Sequence, residues 1–272
     1  MFIGFFKNYH RCLVLLLASG ILSGCATTVK DGSVNTDPIE SINRIFYSVD
    51  YYLDKYLLKS IAEAYVDAVP QPVRTNVTNF FYNLSYLNVI LNSLLQGKFE
   101  QGISDTARIL LNTTLGIGGL FDVATEMRLP FHEEDFGQTL AIWGFKQGAY
   151  LYIPVISGPS STRNAPDIAT NTLLNPLTYA TGALLWPVSV LKLINLRANL
   201  LDDTSIRDEA ALDPYVFTRE AYIQRRKYLI HDGNLPAEDY DDIFDEGTVD
   251  GTSAHNKIGH YQIKAHSATT PG

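Results

Sequence analysis

Cysteine carries the clearest chemistry in this chain, and there are only two, Cys12 and Cys25. Cys25 closes the motif Leu22-Ser23-Gly24-Cys25, at the end of an apolar run from Cys12 to Ile21 that follows Lys7 and Arg11. A basic start, a short apolar stretch and small residues before a cut form the layout of a secretory signal peptide. The run is shorter than the ~20 residues a bilayer span requires. A Cys directly after Leu-Ser-Gly reads as a bacterial lipobox. Small side chains admit the peptidase before Cys25, and the freed thiol and amino group then take acyl chains. Several chains anchor stably, since each buried CH2 contributes ~0.8 kcal/mol. The next residue is Ala26 and not an Asp that would signal inner-membrane retention. The expected address is therefore the outer membrane of a double-membraned bacterium, lipid-anchored on the periplasmic side. With Cys12 lost and Cys25 lipidated, no disulfide is expected within the mature chain.

The remaining reactive side chains form no recognisable catalytic pattern. Of six His, His10 leaves with the leader and His255, His260 and His266 lie near the C-terminus, which leaves His132 and His231. His132-Glu133-Glu134-Asp135 has the composition of a metal cluster, but its ligands are contiguous and no His-x-x-x-His pair places two imidazoles on one helix face. Ser157-Gly158-Pro159-Ser160-Ser161 departs from the Gly-x-Ser-x-Gly elbow of serine hydrolases. Gly116-Ile117-Gly118-Gly119 lacks the Lys of a phosphate loop and the third Gly of a dinucleotide fingerprint, and it follows a helical pattern instead of a strand. The expectation is a protein that is not an enzyme, with no metal and no cofactor. Lys and Arg number 21 against 29 Asp and Glu, for a net charge of −8. That excludes nucleic acid as a partner, because such surfaces are basic.

The elements that would position these residues are helices. Of the 272 residues, 46% are hydrophobic and only 18% charged, which raises the question of whether some apolar surface faces lipid. Asp37-Pro38-Ile39-Glu40 has the form of a capping box with Pro in the first turn. Ile42, Ile45, Phe46, Val49 and Leu53 then recur at helical spacing. Pro70-Gln71-Pro72 breaks the pattern, and helices are expected over 73–95 and 99–115. Further helices are expected over 135–145, from Ser160 or Ser161 to about 174, over 186–201 and over 214–230. Tyr150 to Ile156 alternates as an extended segment, and Ser157 to Pro159 reads as a turn. No stretch spans a bilayer: 173–200 contains Pro176, Pro187, Lys192 and Arg197. Seven carboxylates lie between Glu238 and Asp250, so 232–272 is expected to be a disordered acidic tail.

A set of motifs runs in order across this helical region. They are Asp37-Pro38-Ile39-Glu40 with Asn43-Arg44, Val69-Pro70-Gln71-Pro72-Val73-Arg74 with Asn79-Phe80, Leu95-Gln96-Gly97, Arg108 with Leu111-Asn112-Thr113, and Leu115-Gly116-Ile117-Gly118-Gly119-Leu120-Phe121-Asp122. Phe136-Gly137-Gln138-Thr139-Leu140, Tyr152-Ile153-Pro154 and Asp213-Pro214-Tyr215 with Arg219-Glu220-Ala221-Tyr222 complete it. In order and spacing these segments resemble the MlaA (VacJ) family of outer-membrane lipoproteins from about Asp37 to His231. The acidic tail lies outside that pattern, and 125–134 matches it loosely. Together the lipobox, the resemblance and the acidic composition divide the chain into a leader (1–24), a lipidated tether (25–36), a helical domain (37–231) and the tail (232–272).

The resemblance implies an all-α, ring-like multi-helix bundle lying in the inner leaflet of the outer membrane. It implies a channel that removes misplaced phospholipids from the outer leaflet and maintains lipid asymmetry. Implied partners are phospholipids, a trimeric porin and a soluble periplasmic lipid carrier (MlaC-like). Cys25 is the anchor. Gly116, Gly118, Gly119 and Phe121 are expected either as a channel gate or as a tight helix crossing. Arg74 and Arg108 are expected either to contact a headgroup phosphate or to form ion pairs on helix surfaces. Tyr51, Tyr52, Tyr56, Tyr150, Tyr152 and Trp143 are expected either at a headgroup boundary or in the core. Two other classes compete: an envelope scaffold or virulence lipoprotein that binds another envelope protein without transport, and a lipoprotein hydrolase.

Overall fold

The computed structural model describes residues 29–30, 33–34, 36–155, 157–179 and 185–235. The leader, Cys25 and the carboxylate-rich run after Glu238 lie outside them. The first strand pair is β1 (Val29–Lys30), antiparallel to β2 (Ser33–Val34).

The first long element is α1 (Glu40–Leu53), which runs through a π-helical turn (Asp54–Leu58) into α2 (Lys59–Ala68). The capping box does not form: Ile39 is the N-cap, with no side-chain cap. Asp37 is instead buried, accepting from Asn43 Nδ2 at 2.7 Å and from the Tyr215 hydroxyl. A tertiary demand has taken the carboxylate that local pattern assigns to the cap. Next come α3 (Gln71–Leu95) and α4 (Phe99–Thr114), packed as a hairpin around Gly97, whose φ is +80°. α3 begins two residues earlier than expected because Pro72 lies in its first turn, where a missing N–H costs nothing.

Short helices α5 (Val123–Glu126) and α6 (Phe136–Ile142) follow. β3 (Tyr150–Ile153) then pairs antiparallel with β4 (Gly158–Ser161). Gly158 and Pro159 thus belong to a strand and not to the expected turn. Pro159 fits because the ladder is only two strands wide and leaves an edge. The remaining elements are α7 (Ala165–Leu174), a 3-10 turn (Pro176–Tyr179), α8 (Leu185–Asn199), α9 (Leu201–Ala210) and α10 (Pro214–Ile230). α7 starts after Asn164 without a side-chain cap, later than Ser160 or Ser161 suggested. α9 escapes the apolar-spacing test because its residues are mostly polar; Asp202 and Asp203 in its first turn suit the helix dipole. Asp232, placed in the tail by composition, is ion-paired with Lys98 at 2.5 Å.

The elements close a circuit. α2 packs on α8, α8 on α3, α3 on α6, α6 on α10 and α10 on β4, while β3 returns to α1. The described residues up to Asn234 form an all-α ring with two small antiparallel strand pairs. A Tyr cluster holds the closure: the Tyr47 ring meets Tyr152 edge-on at 5.5 Å and Tyr215 at 5.6 Å. Such pairs each contribute about 0.5–1.5 kcal/mol beyond burial.

The distribution of polarity is inverted relative to a water-soluble domain. Among the described residues the buried set contains 19 polar or charged residues and nine hydrophobic ones, none of them Leu, Ile or Val. Asn88, Asn92 and Thr139 link α3 to α6, with Thr139 Oγ1 donating to Asn92 Oδ1 at 2.8 Å. Asn195 on α8 donates to Thr78 on α3 at 2.8 Å. Meanwhile Ile42, Ile45, Val49, Tyr52, Tyr56 and Leu57 stand exposed on the continuous α1–α2 run. Polar side chains therefore hold helices together and apolar ones face outward, as expected where the surrounding solvent is lipid. Among the described residues no helix is long and apolar enough to cross a membrane.

Candidate functional site

Three cavities adjoin: the first two lie along α3, and the third lies between α7 and α8. The first, about 230 Å³, lies among Asn79, Asn83, Tyr86, Arg108, Asn112 and Asp122. The second, about 280 Å³, shares Tyr82, Tyr86 and Phe131 with it and extends to Asp167 and Arg226. The third, about 530 Å³, shares Asp167 and Asn171 with the second and is closed by Ser189 and Lys192 of α8.

Charges along the first cavity are fully engaged. Arg108 is buried, and its Nη2 donates to both oxygens of Asp122, at 2.8 and 2.9 Å. Its Nη1 donates to Thr125 Oγ1 at 3.1 Å and to the Leu129 carbonyl. Asn112 adds a bond to Asp122 at 3.0 Å and accepts from the Ala124 N–H at 2.9 Å. Burial acts to raise the Asp122 carboxyl, but bonds from Thr125 and Asn112 and the Arg108 charge hold it below the usual carboxylate range. Arg108 is thus a clamp between α4 and the segment that follows it.

The glycine segment belongs to the same clamp. The Gly118 N–H donates to the Thr113 carbonyl at 2.9 Å and the Gly119 N–H to the Asn112 carbonyl at 2.8 Å, which wraps the end of α4. A Cβ on Gly116 would overlap the Phe121 carbonyl, and one on Gly119 would overlap the Asn83 side chain. Gly118 has open space around it and needs glycine only for its φ of +71°. Phe121 is 48% exposed beside this turn. Arg74 donates from Nε to the Val69 carbonyl at 3.1 Å, bracing the α2–α3 corner.

The His132–Asp135 run serves four separate contacts. His132 Nδ1 lies 2.8 Å from Asp105 of α4, and Glu133 pairs with Arg225 at 2.7 Å. Glu134 accepts from Lys98 at 2.8 Å, and Asp135 caps α6 while pairing with Arg226. The Tyr set divides: Tyr150 and Tyr152 are core, whereas Tyr52, Tyr56 and Trp143 are exposed.

The third cavity differs in kind. Lys192 has no hydrogen bond or ion pair among the described residues, and burial lowers its ammonium below the ordinary lysine value. Asp167, across the cavity, accepts three bonds on one oxygen: from the Phe136 N–H at 2.9 Å, Asn88 Nδ2 at 3.0 Å and Thr170 Oγ1 at 3.2 Å. Its other oxygen accepts none among the described residues. Burial, then the nearby Asp135 charge, push Asp167 above the usual carboxylate range. In the sequence Lys192 stands out only as an interruption of an apolar stretch. A finer signal was present: α8 offers no acid three or four residues either side of Lys192, so no local ion pair can satisfy it.

A helical ring with a polar interior and apolar residues on its outer face is the arrangement of a membrane-peripheral protein. The comparisons agree. A family model described as MlaA lipoprotein matches residues 35–229. The chain is 35% identical to the "Intermembrane phospholipid transport system lipoprotein MlaA" of Shigella flexneri, covering 84% of this chain and 92% of that one. It is 34% identical, over the same shares, to the protein of that name from Escherichia coli K12, and 27% identical to the one from Haemophilus influenzae, over 82% and 91%. A solved structure, described as the structural basis for maintenance of bacterial outer membrane lipid asymmetry, is similar with TM-score 0.63 and 34% identity. It covers 72% of this chain and 100% of that chain. The chain belongs to the MlaA lipoprotein family.

Proposed function

We propose that this protein is an outer-membrane lipoprotein that removes misplaced phospholipid from the outer leaflet and passes it through its ring toward the periplasm. The observation that carries the reading is Lys192, an unpaired and half-buried cation in a cavity of about 530 Å³ inside a ring whose outer face is apolar. A headgroup left in hydrocarbon is costly. The cavity walls offer it hydrogen-bonding side chains, and acyl chains keep to the apolar exterior. Lys192 receives the phosphate. No bond is made or broken in this cycle, so no catalytic group is needed.

In this reading residues 1–24 are the leader, Cys25 is the acylated anchor on the periplasmic side, 25–36 are the tether, 37–231 move lipid, and 232–272 form the acidic tail. A trimeric porin holds the ring in place, and a soluble MlaC-like carrier accepts the lipid. Gly116, Gly118, Gly119, Phe121 and the Arg108 clamp form a rigid wall of the passage, and Arg74 braces a corner.

The test compares cells lacking the protein with cells complemented by wild type, Cys25→Ala or Lys192→Glu. The readout is outer-leaflet phospholipid, measured with an enzyme that attacks only surface-exposed phospholipid. Exposure should rise in its absence and be corrected by wild type alone. No rise would reject transport and leave an envelope scaffold as the reading.

A further inference from the structure

The third cavity contains two ionisable groups of opposite sign, Lys192 and Asp167. They form no ion pair with one another, and neither pairs with any other charged group among the described residues. This is unlike Asp122, Asp135 and Glu134, each of which meets Arg or Lys directly. Two uncompensated opposite charges on facing walls of one cavity are unfavourable in the unliganded protein. They become favourable when a guest brings the complementary pair. Asp167 is also fixed in direction. Its three donors come from α3, α6 and α7 and all fall on Oδ1, which turns Oδ2 away from them. Burial and the Asp135 charge raise its carboxyl, a further sign that no cation of the protein serves it.

We infer that this cavity recognises a zwitterionic aminophospholipid headgroup, with Lys192 binding the phosphate and Asp167 Oδ2 accepting a hydrogen bond from the primary ammonium. The inference rests on the transport reading above and adds a specificity element to it. An ethanolamine-type headgroup supplies both charges a few bonds apart and carries N–H donors. A choline headgroup supplies the positive charge without an N–H. A glycerol headgroup supplies no positive charge, so its phosphate would sit near a carboxylate left uncompensated. Asn171, Asn175 and Ser189 on the same walls are neutral and suit the ester oxygens without distinguishing the headgroups.

The experiment incubates the purified full-length lipoprotein with mixed micelles of phosphatidylethanolamine, phosphatidylcholine and phosphatidylglycerol of identical acyl chains, and quantifies bound lipid by mass spectrometry. Wild type should favour ethanolamine over glycerol on the order of tenfold, as one charge-assisted hydrogen bond allows, with choline between. Asp167→Asn should bind a similar total with the preference removed, and Lys192→Ala should bind several-fold less in total. An unchanged ethanolamine-to-glycerol ratio in Asp167→Asn overturns the inference while a Lys192→Ala loss leaves the transport reading standing. No bound phospholipid in wild type, or no loss in Lys192→Ala, rejects the Lys192 reading itself. If Asp167→Asn does not fold, the wild-type ranking decides: equal binding of all three lipids overturns the inference.

Discussion

The Arg108 clamp and the Lys192 cavity both take charge away from water, and they treat it in opposite ways. At the clamp, Arg108 meets a carboxylate with two hydrogen bonds, and a hydroxyl and a carbonyl take further donors. In the cavity, Lys192 and Asp167 stand apart, each open on one side. A paired buried charge locks two elements together. An unpaired one costs stability, and that cost is retained where a guest supplies the partner. Geometry thus separates architecture from recognition within one ring, although both regions read as "a basic residue in an apolar helix" in sequence.

The contrast is broken most directly by truncating the clamp. Arg108→Ala removes the buried cation from half-exposed Asp122, together with its bonds to Thr125 and the Leu129 carbonyl, and should destabilise the fold by about 1.5–3 kcal/mol, read from a denaturant melt of detergent-solubilised protein. A wild-type midpoint would mean the clamp is not locked. Glycine substitutions come next. Gly119→Ala forces the Asn83 side chain aside and should cost about 1–3 kcal/mol as an overpacked site, whereas Gly118→Ala, with open space, should cost only about 1 kcal/mol for its positive φ. Equal costs would remove the distinction drawn between packing and backbone.

The cavity side predicts the reverse balance. Lys192→Met should leave stability within about 1 kcal/mol of wild type, or raise it, because it removes an uncompensated cation, yet lipid transport should fall. A large destabilisation would show a hidden structural partner.

Acidity sharpens the comparison further. Burial raises the Asp135 carboxyl, but Arg226 more than offsets it, so the folded value lies below the unfolded one. Its stabilisation is therefore complete above the unfolded pKa of about 3.9 and lost as pH falls through the folded value. Lys192 shifts the other way: with its ammonium held below the ordinary lysine value, phosphate capture by the empty cavity should weaken as pH rises toward that lowered value. Titrating lipid binding from neutral to alkaline pH checks this, and Lys192→Arg should flatten the profile. The smallest effect belongs to the exposed Arg44–Asp213 pair, at 2.8 Å on the surface, where Arg44→Gln should change stability by no more than about 1 kcal/mol.

Much of the fold was legible. Apolar spacing located α1, α3, α4, α8 and α10, and Asp213-Pro214 announced α10, where the Asp213 carboxylate does accept from the Tyr215 N–H at 2.9 Å. The same test failed on α9, which has almost no apolar face, and Asp37 shows how a correct capping pattern can be overruled by Asn43 and Tyr215. α3 buries none of its Leu residues, only Phe81, Tyr86 and polar side chains. Leu87, Leu91 and Leu94 are exposed, while Asn83, Asn88 and Asn92 lie inside. Periodicity reports that a helix has two faces, and the surrounding solvent determines which of them turns inward.

The amino-acid order by itself determined the helical class and the family pattern, and it carries the Leu22-Ser23-Gly24-Cys25 motif. Each depends on neighbours within a turn or two of helix, or on motifs read in order. Tertiary structure alone decided that Arg108 is spent on Asp122 while Lys192 is not spent at all, and that Asp167 shares its cavity. Whether a charge is satisfied depends on residues brought from distant elements, and no local spacing records that.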